Sequence, residues 1–128
     1  MAKMVIFSAV EGKVLQAGKP VAGALVEREF RWAWKQETAV DSTHTNAAGQ
    51  FSLPGIERTT LMGSLLPHEP NIRQTILIKH AGKTHKAWMF DKGNYKPLGE
   101  IGKPIVMTCR LEAEPTHRGE VFGICELD

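Results

Sequence analysis

Apolar and polar residues alternate with a period of two along several short runs of the chain. In the run over residues 21–34, Phe30 and Trp32 occupy even positions, and Arg28 shares their face. Charged residues such as Glu29 occupy odd positions. Alternate side chains of a strand point to opposite faces of a sheet. The run therefore predicts a half-buried antiparallel strand.

Similar runs recur along the chain, separated by residues that favour turns. The predicted strands cover residues 4–16, 21–34, 37–45, 50–53, 72–80, 84–90, 105–111 and 121–127. Gly and Pro residues such as Gly18, Pro20, Gly49 and Gly82 stand between them, where turns need special backbone angles. The pattern indicates an all-β, seven- to eight-stranded antiparallel two-sheet sandwich.

Residues 57–70 are less regular and predict a crossover loop. Leu61, Met62, Leu65 and Leu66 have the spacing of one or two helical turns, so at most one short helix is expected. Residues 1–128 are expected to form a single β-sandwich domain, because this length suits one domain.

Charge and hydropathy favour neither nucleic acid nor membrane as a partner. The net charge is +2, and the 16 Lys and Arg residues are scattered rather than clustered. No stretch approaches the ~18 apolar residues that a membrane-spanning helix needs. The apolar N-terminal run is interpreted as a first strand rather than a signal peptide, so a cytoplasmic location is expected. For Cys109 and Cys125 we then expect free buried thiols, with a disulfide as the alternative.

Two turn motifs in the first half resemble a known family. They are Gly18-Lys19-Pro20-Val21-Ala22-Gly23-Ala24 and Thr45-Asn46-Ala47-Ala48-Gly49-Gln50-Phe51. Both are similar to the carboxypeptidase regulatory-like, or transthyretin-like, domains. The resemblance implies a transthyretin (prealbumin)-like sandwich that binds other proteins, and some domains of this kind load toxic effectors in type VI secretion.

No residue pattern indicates catalysis or metal binding. Transthyretin-related hydrolases end in Tyr-Arg-Gly-Ser, whereas this chain ends in Cys125-Glu126-Leu127-Asp128. His80 and His85 flank a turn without a nearby carboxylate, and the two cysteines do not form a Cys-x-x-Cys pair. We therefore expect no enzyme activity, catalytic residue, metal or cofactor; a hydrolase is only the third hypothesis.

Aromatic and basic residues give the candidate binding site. Trp and Arg are enriched in the residues that dominate protein interfaces, and the predicted partner-binding residues are Arg28, Arg31, Trp32, Trp34, Lys35, Trp88 and Tyr95. The leading hypothesis is a bacterial, non-enzymatic module that binds a toxin or effector, as an immunity protein or a secretion loading adaptor. The alternative is carbohydrate binding by Trp34, Trp88 and Tyr95.

An open sandwich also leaves edge strands that another chain can extend. The sequence identifies neither the edge strand nor the oligomeric state.

Overall fold

The computed structural model describes residues 2–60 and 66–128, and in these residues the chain is all-β without a helix. It contains thirteen strands, five of which have only two to four residues. The strands are β1 (Ala2–Phe7), β2 (Val10–Gln16), β3 (Lys19–Pro20), β4 (Leu25–Trp32), β5 (Glu37–His44), β6 (Gln50–Leu53), β7 (Ile56–Thr60), β8 (Ile72–His80), β9 (Lys83–Lys92), β10 (Ile105–Arg110), β11 (Thr116–Arg118), β12 (Val121–Gly123) and β13 (Cys125–Leu127).

These strands form three open sheets in a sandwich-like arrangement. The largest has the order β11-β12-β9-β8-β4-β5, the second has the order β13-β10-β2-β3 with β6 also paired to β2, and β1 pairs with β7. Buried apolar side chains from all three sheets form one core, including Phe7, Val14 and Phe30. The described residues contain no helix long and apolar enough to cross a bilayer.

The hairpin of β8 and β9 follows the sequence pattern closely. Ile72, Ile76 and Ile78 are buried, as their alternation predicts. Ala81 and Gly82 form the turn with φ angles of 50° and 77°, the paired left-handed conformations that suit a two-residue hairpin. The predicted strand over residues 72–80 and the turn after it are confirmed.

The first predicted strand is in fact two strands in different sheets. Residues 4–16 divide at Ser8 and Ala9, so that β1 pairs with β7 while β2 pairs with β3, β6 and β10. The Ser8 hydroxyl and backbone N–H both bond to the Glu100 carboxylate, at 2.7 and 2.9 Å. These bonds to Glu100 take Ser8 out of the strand pairing and fix the break between β1 and β2.

The sheets are not purely antiparallel, which corrects the sequence prediction. Strand β10 pairs with β2 in parallel, from Ile105 opposite Val10 to Arg110 opposite Leu15. A period of two is common to parallel and antiparallel strands, so the alternation alone carries no direction.

The predicted turn at residues 46–49 is present, but it joins two sheets instead of closing a hairpin. The Asn46 carbonyl accepts a hydrogen bond from the Gly49 N–H, and the Asn46 N–H donates to the Gln50 carbonyl. Gly49 has a φ of 74°. A Cβ atom at Gly49 would lie 2.6 Å from the Val14 carbonyl oxygen. The site therefore requires glycine both for its backbone angle and for space.

The helical turn predicted around Leu61 to Leu66 falls mainly on residues 61–65, which lie outside the described residues. Before them, residues 56–60 form β7 instead of a loop. After them, residues 66–71 contain no helix.

The expectation of free thiols is wrong. Cys109 and Cys125 lie directly opposite each other on β10 and β13 and form a disulfide bond. Both residues are buried. The bridge fastens the last strand to the sheet by a covalent bond.

Candidate partner-binding surface

The structure places three of the seven predicted site residues inside the core. Arg28, Trp32 and Trp88 have exposed fractions of 1%, 2% and 0%. Their side chains are thus removed from any binding surface of this fold. The alternation had already placed Arg28 and Trp32 on the apolar face, and that face is covered completely.

Arg28 is held by one carboxylate and one aromatic ring. Its Nε and Nη2 atoms donate to the two carboxylate oxygens of Asp41, and its guanidinium carbon lies 4.9 Å from the centroid of Phe7. Both contacts stabilise the guanidinium group inside the core. Arg28 therefore contributes to the core rather than to recognition.

Trp88 belongs to a buried polar network beneath the loop of residues 93–104. Its indole N–H donates to Gln74, whose amide nitrogen donates to Glu100 at 2.8 Å. The Glu100 carboxylate also accepts the two bonds from Ser8, and the Ser8 hydroxyl accepts the backbone N–H of Leu98. The network fixes the loop to the sandwich.

Lys92 is a buried amine that the sequence analysis missed. It donates to the carbonyl oxygens of Val5 and Lys96 at 2.7 and 2.9 Å. Desolvation lowers its pKa below the usual value, and the nearby Glu100 carboxylate partly offsets that effect. The sequence did contain a signal for this burial. Lys92 follows Trp88 and Phe90 at alternate positions of β9, so its side chain points to the same buried face.

Four aromatic rings form a cluster at the end of β4. This aromatic cluster consists of Trp32, Trp34, His68 and Tyr95. The Trp32 indole N–H donates to the Tyr95 hydroxyl at 2.9 Å, and that hydroxyl lies 2.7 Å from His68 Nε2. His68 Nδ1 lies 2.9 Å from the Leu66 carbonyl, so Nδ1 carries the proton and Tyr95 donates to Nε2.

Burial raises the pKa of Tyr95, while the bond from Trp32 acts in the opposite direction. The hydroxyl therefore stays protonated, as a donor to His68, at neutral pH. His68 was not among the predicted site residues, because nothing in the sequence indicates that its loop returns to Trp34.

Both faces of Trp34 are covered by residues of the chain. The His68 ring stacks on one face at a centroid distance of 4.0 Å and an angle of 6°. This leaves the other face for the Lys35 ammonium, whose nitrogen lies 4.8 Å from the ring centroid. A bound sugar needs a free aromatic face, which Trp34 does not offer in this arrangement.

Arg31 lies in a wide groove on the solvent-facing side of the six-stranded sheet. This outer groove has a volume of about 920 Å³ and is lined mainly by polar residues of β4, β5, β8 and β9. Across its floor, Thr38, Arg31, Arg73 and Asp91 occupy directly opposed positions on four adjacent strands. Arg31 is the one predicted site residue that lines the groove with an exposed, charged side chain.

Each groove arginine is bound to a carboxylate through one nitrogen. Arg31 Nε lies 3.2 Å from Glu29, and Arg73 Nε lies 2.7 Å from Asp91. Within the described residues, the Nη atoms of both arginines make no hydrogen bond. The two guanidinium groups therefore lie opposite each other on β4 and β8, each with a neighbouring carboxylate as its counter-ion.

The structure provides no metal site in the part of the chain that it describes. No group of three or more His, Cys, Asp or Glu side chains is suitably placed. His80 and His85 are not directly opposed on β8 and β9, where His80 pairs with Lys83 and His85 with Ile78.

Comparison with known proteins gives a family without an assigned function. The family described as "Domain of unknown function (DUF6795)" matches residues 10–114, which is most of the chain. No curated protein and no solved structure was found to be similar.

Proposed function

We propose that this chain, which belongs to the DUF6795 family, is a non-enzymatic protein-binding module that uses the outer groove. The observation that carries the proposal is the direct opposition of Arg31 and Arg73 on the groove floor. Their unbonded Nη atoms are donors that a partner's carboxylates would accept in paired, charge-assisted bonds.

The charge pattern of the groove suits a protein segment. Its walls alternate in charge, with Glu29 and Asp91 beside the two arginines. A partner with acidic residues placed over the Nη atoms would therefore be selected over a uniformly acidic one. Charge patterns of this kind determine specificity and association rate more than affinity.

The nature of the partner is proposed from the resemblance in the turn motifs. We infer a bacterial toxin or effector, which the chain would neutralise as an immunity protein or carry as a type VI secretion loading adaptor. The resemblance also supports a transthyretin-like sandwich as the finer description of the fold.

Carbohydrate binding has less support than protein binding. Of the three residues proposed for it, Trp88 is buried and both faces of Trp34 are covered. The Tyr95 hydroxyl is bonded within the aromatic cluster.

Location within the cell stays a prediction. Disulfides are rare in the cytosol and persist in oxidising compartments. The Cys109–Cys125 bridge therefore favours an oxidising compartment over the cytoplasm expected from the N-terminal sequence.

The test is co-expression of the chain with the products of its neighbouring genes, followed by measurement of complex mass. A stoichiometric complex is expected with the wild type and should be lost in the Arg31→Glu/Arg73→Glu variant. Arg110→Glu is the matched control, because Arg110 is a half-buried, ion-paired arginine that lies on the other large sheet. Absence of any complex, or a complex that survives the double substitution, would overturn the proposal.

A further inference from the structure

Strand β5 is an edge strand of unusual length for this molecule. It pairs with β4 over eight residues without a register shift, and no described strand lies on its other side. The opposite edge of the same sheet, β11, has three residues, and the outer strands of the five-stranded sheet have two to four. Long, regular edges present unpaired backbone groups to other chains.

The backbone groups that face outward from β5 can be identified. The Ala33 N–H donates to the Asn71 carbonyl at the end of the β4–β8 ladder. The Thr45 N–H donates to the Ala24 carbonyl at the end of the β4–β5 ladder. Odd residues of β5 therefore direct their N–H and C=O groups toward β4. Along the unbroken ladder, the groups of the even residues point away from the sheet; these residues are Thr38, Val40, Ser42 and His44.

The outward positions carry little of the protection usual at sheet edges. The strand contains no Lys, Pro or Gly. Val40, in its centre, is 61% exposed, the largest value among the exposed large apolar residues of the described chain. Asp41 is directed to buried Arg28, so its charge is largely compensated within the subunit.

We propose that β5 pairs with β5 of a second copy of this chain, antiparallel and centred on Val40. The two valines would then oppose each other and bury their exposed side chains. Thr38 would lie opposite the partner's Ser42, and Glu37 opposite the partner's Thr43. The even residues that direct their backbone groups outward form the hydrogen-bonded pairs of this register, so backbone and side-chain pairing agree.

Both acidic residues of the strand are ion-paired within the chain, Asp41 with Arg28 and Glu37 with Arg58. Only the register centred on Val40 places the two exposed valines directly opposite each other. Burial of these apolar side chains therefore selects Val40. A self-complementary contact of this type closes as a two-fold dimer rather than extending into a fibre.

The dimer is centred on Val40, which lies outside the outer groove, although Glu37 and Thr38 border both surfaces. It is tested on the purified chain without a partner, so its failure is distinguishable from failure of the proposed groove binding. Sedimentation equilibrium of the purified chain should show a reversible dimer. Val40→Lys is expected to raise its dissociation constant at least roughly tenfold, since a lysine at the centre places two charges together. Leu98→Lys is the matched control: Leu98 is also an exposed apolar residue but lies far from β5 in sequence and in no sheet.

A second variant pair tests the register. Thr38→Lys and Ser42→Glu together create two complementary ion pairs only when Thr38 opposes the partner's Ser42. The double variant should therefore dimerise more tightly than either single variant, and high salt should remove the difference. Circular dichroism of each variant confirms that the fold is retained.

Three results would overturn the inference. One is a wild-type chain that stays monomeric up to its solubility limit. Another is a dimer that Val40→Lys leaves unchanged. The third is a double variant no tighter than the single variants, which would rule out the Val40-centred register.

Discussion

Arg28 and Asp41 lie directly opposite each other on β4 and β5 and form a two-bond ion pair. The distances are 2.9 Å from Nε to Oδ1 and 2.6 Å from Nη2 to Oδ2. The Arg28 side chain has no exposure, whereas that of Asp41 is 41% exposed. One partly exposed carboxylate thus compensates a cation that lies entirely within the core.

Asp41→Asn should therefore destabilise the fold markedly. Removal of one partner from a buried pair leaves an uncompensated charge, and we expect a loss of about 3 kcal/mol in the free energy of unfolding. Urea denaturation of dilute protein measures this loss. Asp91→Asn is the control, because Asp91 pairs with exposed Arg73 and should cost less than about 1 kcal/mol. Equal losses in the two variants would contradict the role assigned to the buried pair.

Reduction of the disulfide should lower stability by a comparable amount. Cys109 and Cys125 are 16 residues apart, and a bridge that closes a loop of about this length contributes roughly 3 kcal/mol. Guanidinium unfolding with and without a thiol reductant measures the difference. The Cys109→Ala/Cys125→Ala variant should not respond to the reductant. Two free thiols in the untreated protein would show that the bridge is absent.

Glu100→Ala should destabilise the loop of residues 93–104. The substitution leaves donors of Ser8 and Gln74 without their carboxylate acceptor. We expect a loss of about 2–3 kcal/mol, because buried donors without partners retain their desolvation penalty. Hydrogen exchange should accelerate at the Ser8 and Leu98 amides. Exposed Glu114 provides the control, since Glu114→Ala should change stability by no more than about 0.5 kcal/mol. Unchanged exchange at Ser8 would disprove the anchoring.

The stability of the protein should fall as the pH drops below 6.5. Desolvation and the positive charges of Lys83 and His80 lower the pKa of His85 below the ordinary histidine value of about 6.5. The unfolded chain consequently binds the proton first, so the free energy of unfolding decreases with falling pH until the folded pKa is passed. His85→Gln should reduce this slope in thermal unfolding measured from pH 8 to pH 4. Parallel profiles for variant and wild type over the whole range would refute the assignment.

Local patterns of the sequence predict strands and turns well but not their partners. The alternation and its flanking Gly82 determine β8 and its turn, because both depend on neighbouring residues. The interruption at Ser8 is visible in the sequence, yet its meaning depends on Glu100, which is 92 residues away. Pairing across such distances leaves no periodic trace, and this is why the parallel ladder of β2 and β10 was not predicted.

The candidate site was predicted only in part, for a related reason. Aromatic and basic residues near residue 30 identified Arg31, but Arg73 and Asp91 enter the groove through the register of β8 and β9. Arg28 was already placed on the buried face, yet the partner that permits its burial belongs to the next strand. Residue type alone therefore predicted more exposed partner-binding residues than the structure contains.

The parallel ladder also constrains how the chain is made. Val10 and Val14 are buried against β10, so one side of β2 has no neighbour until residues 105–110 have been synthesised. A nascent chain would carry that unsatisfied edge through most of its translation. Closure between such remote segments is slow, so a ribosome-bound fragment that ends before Ile105 should depend on chaperones to avoid aggregation.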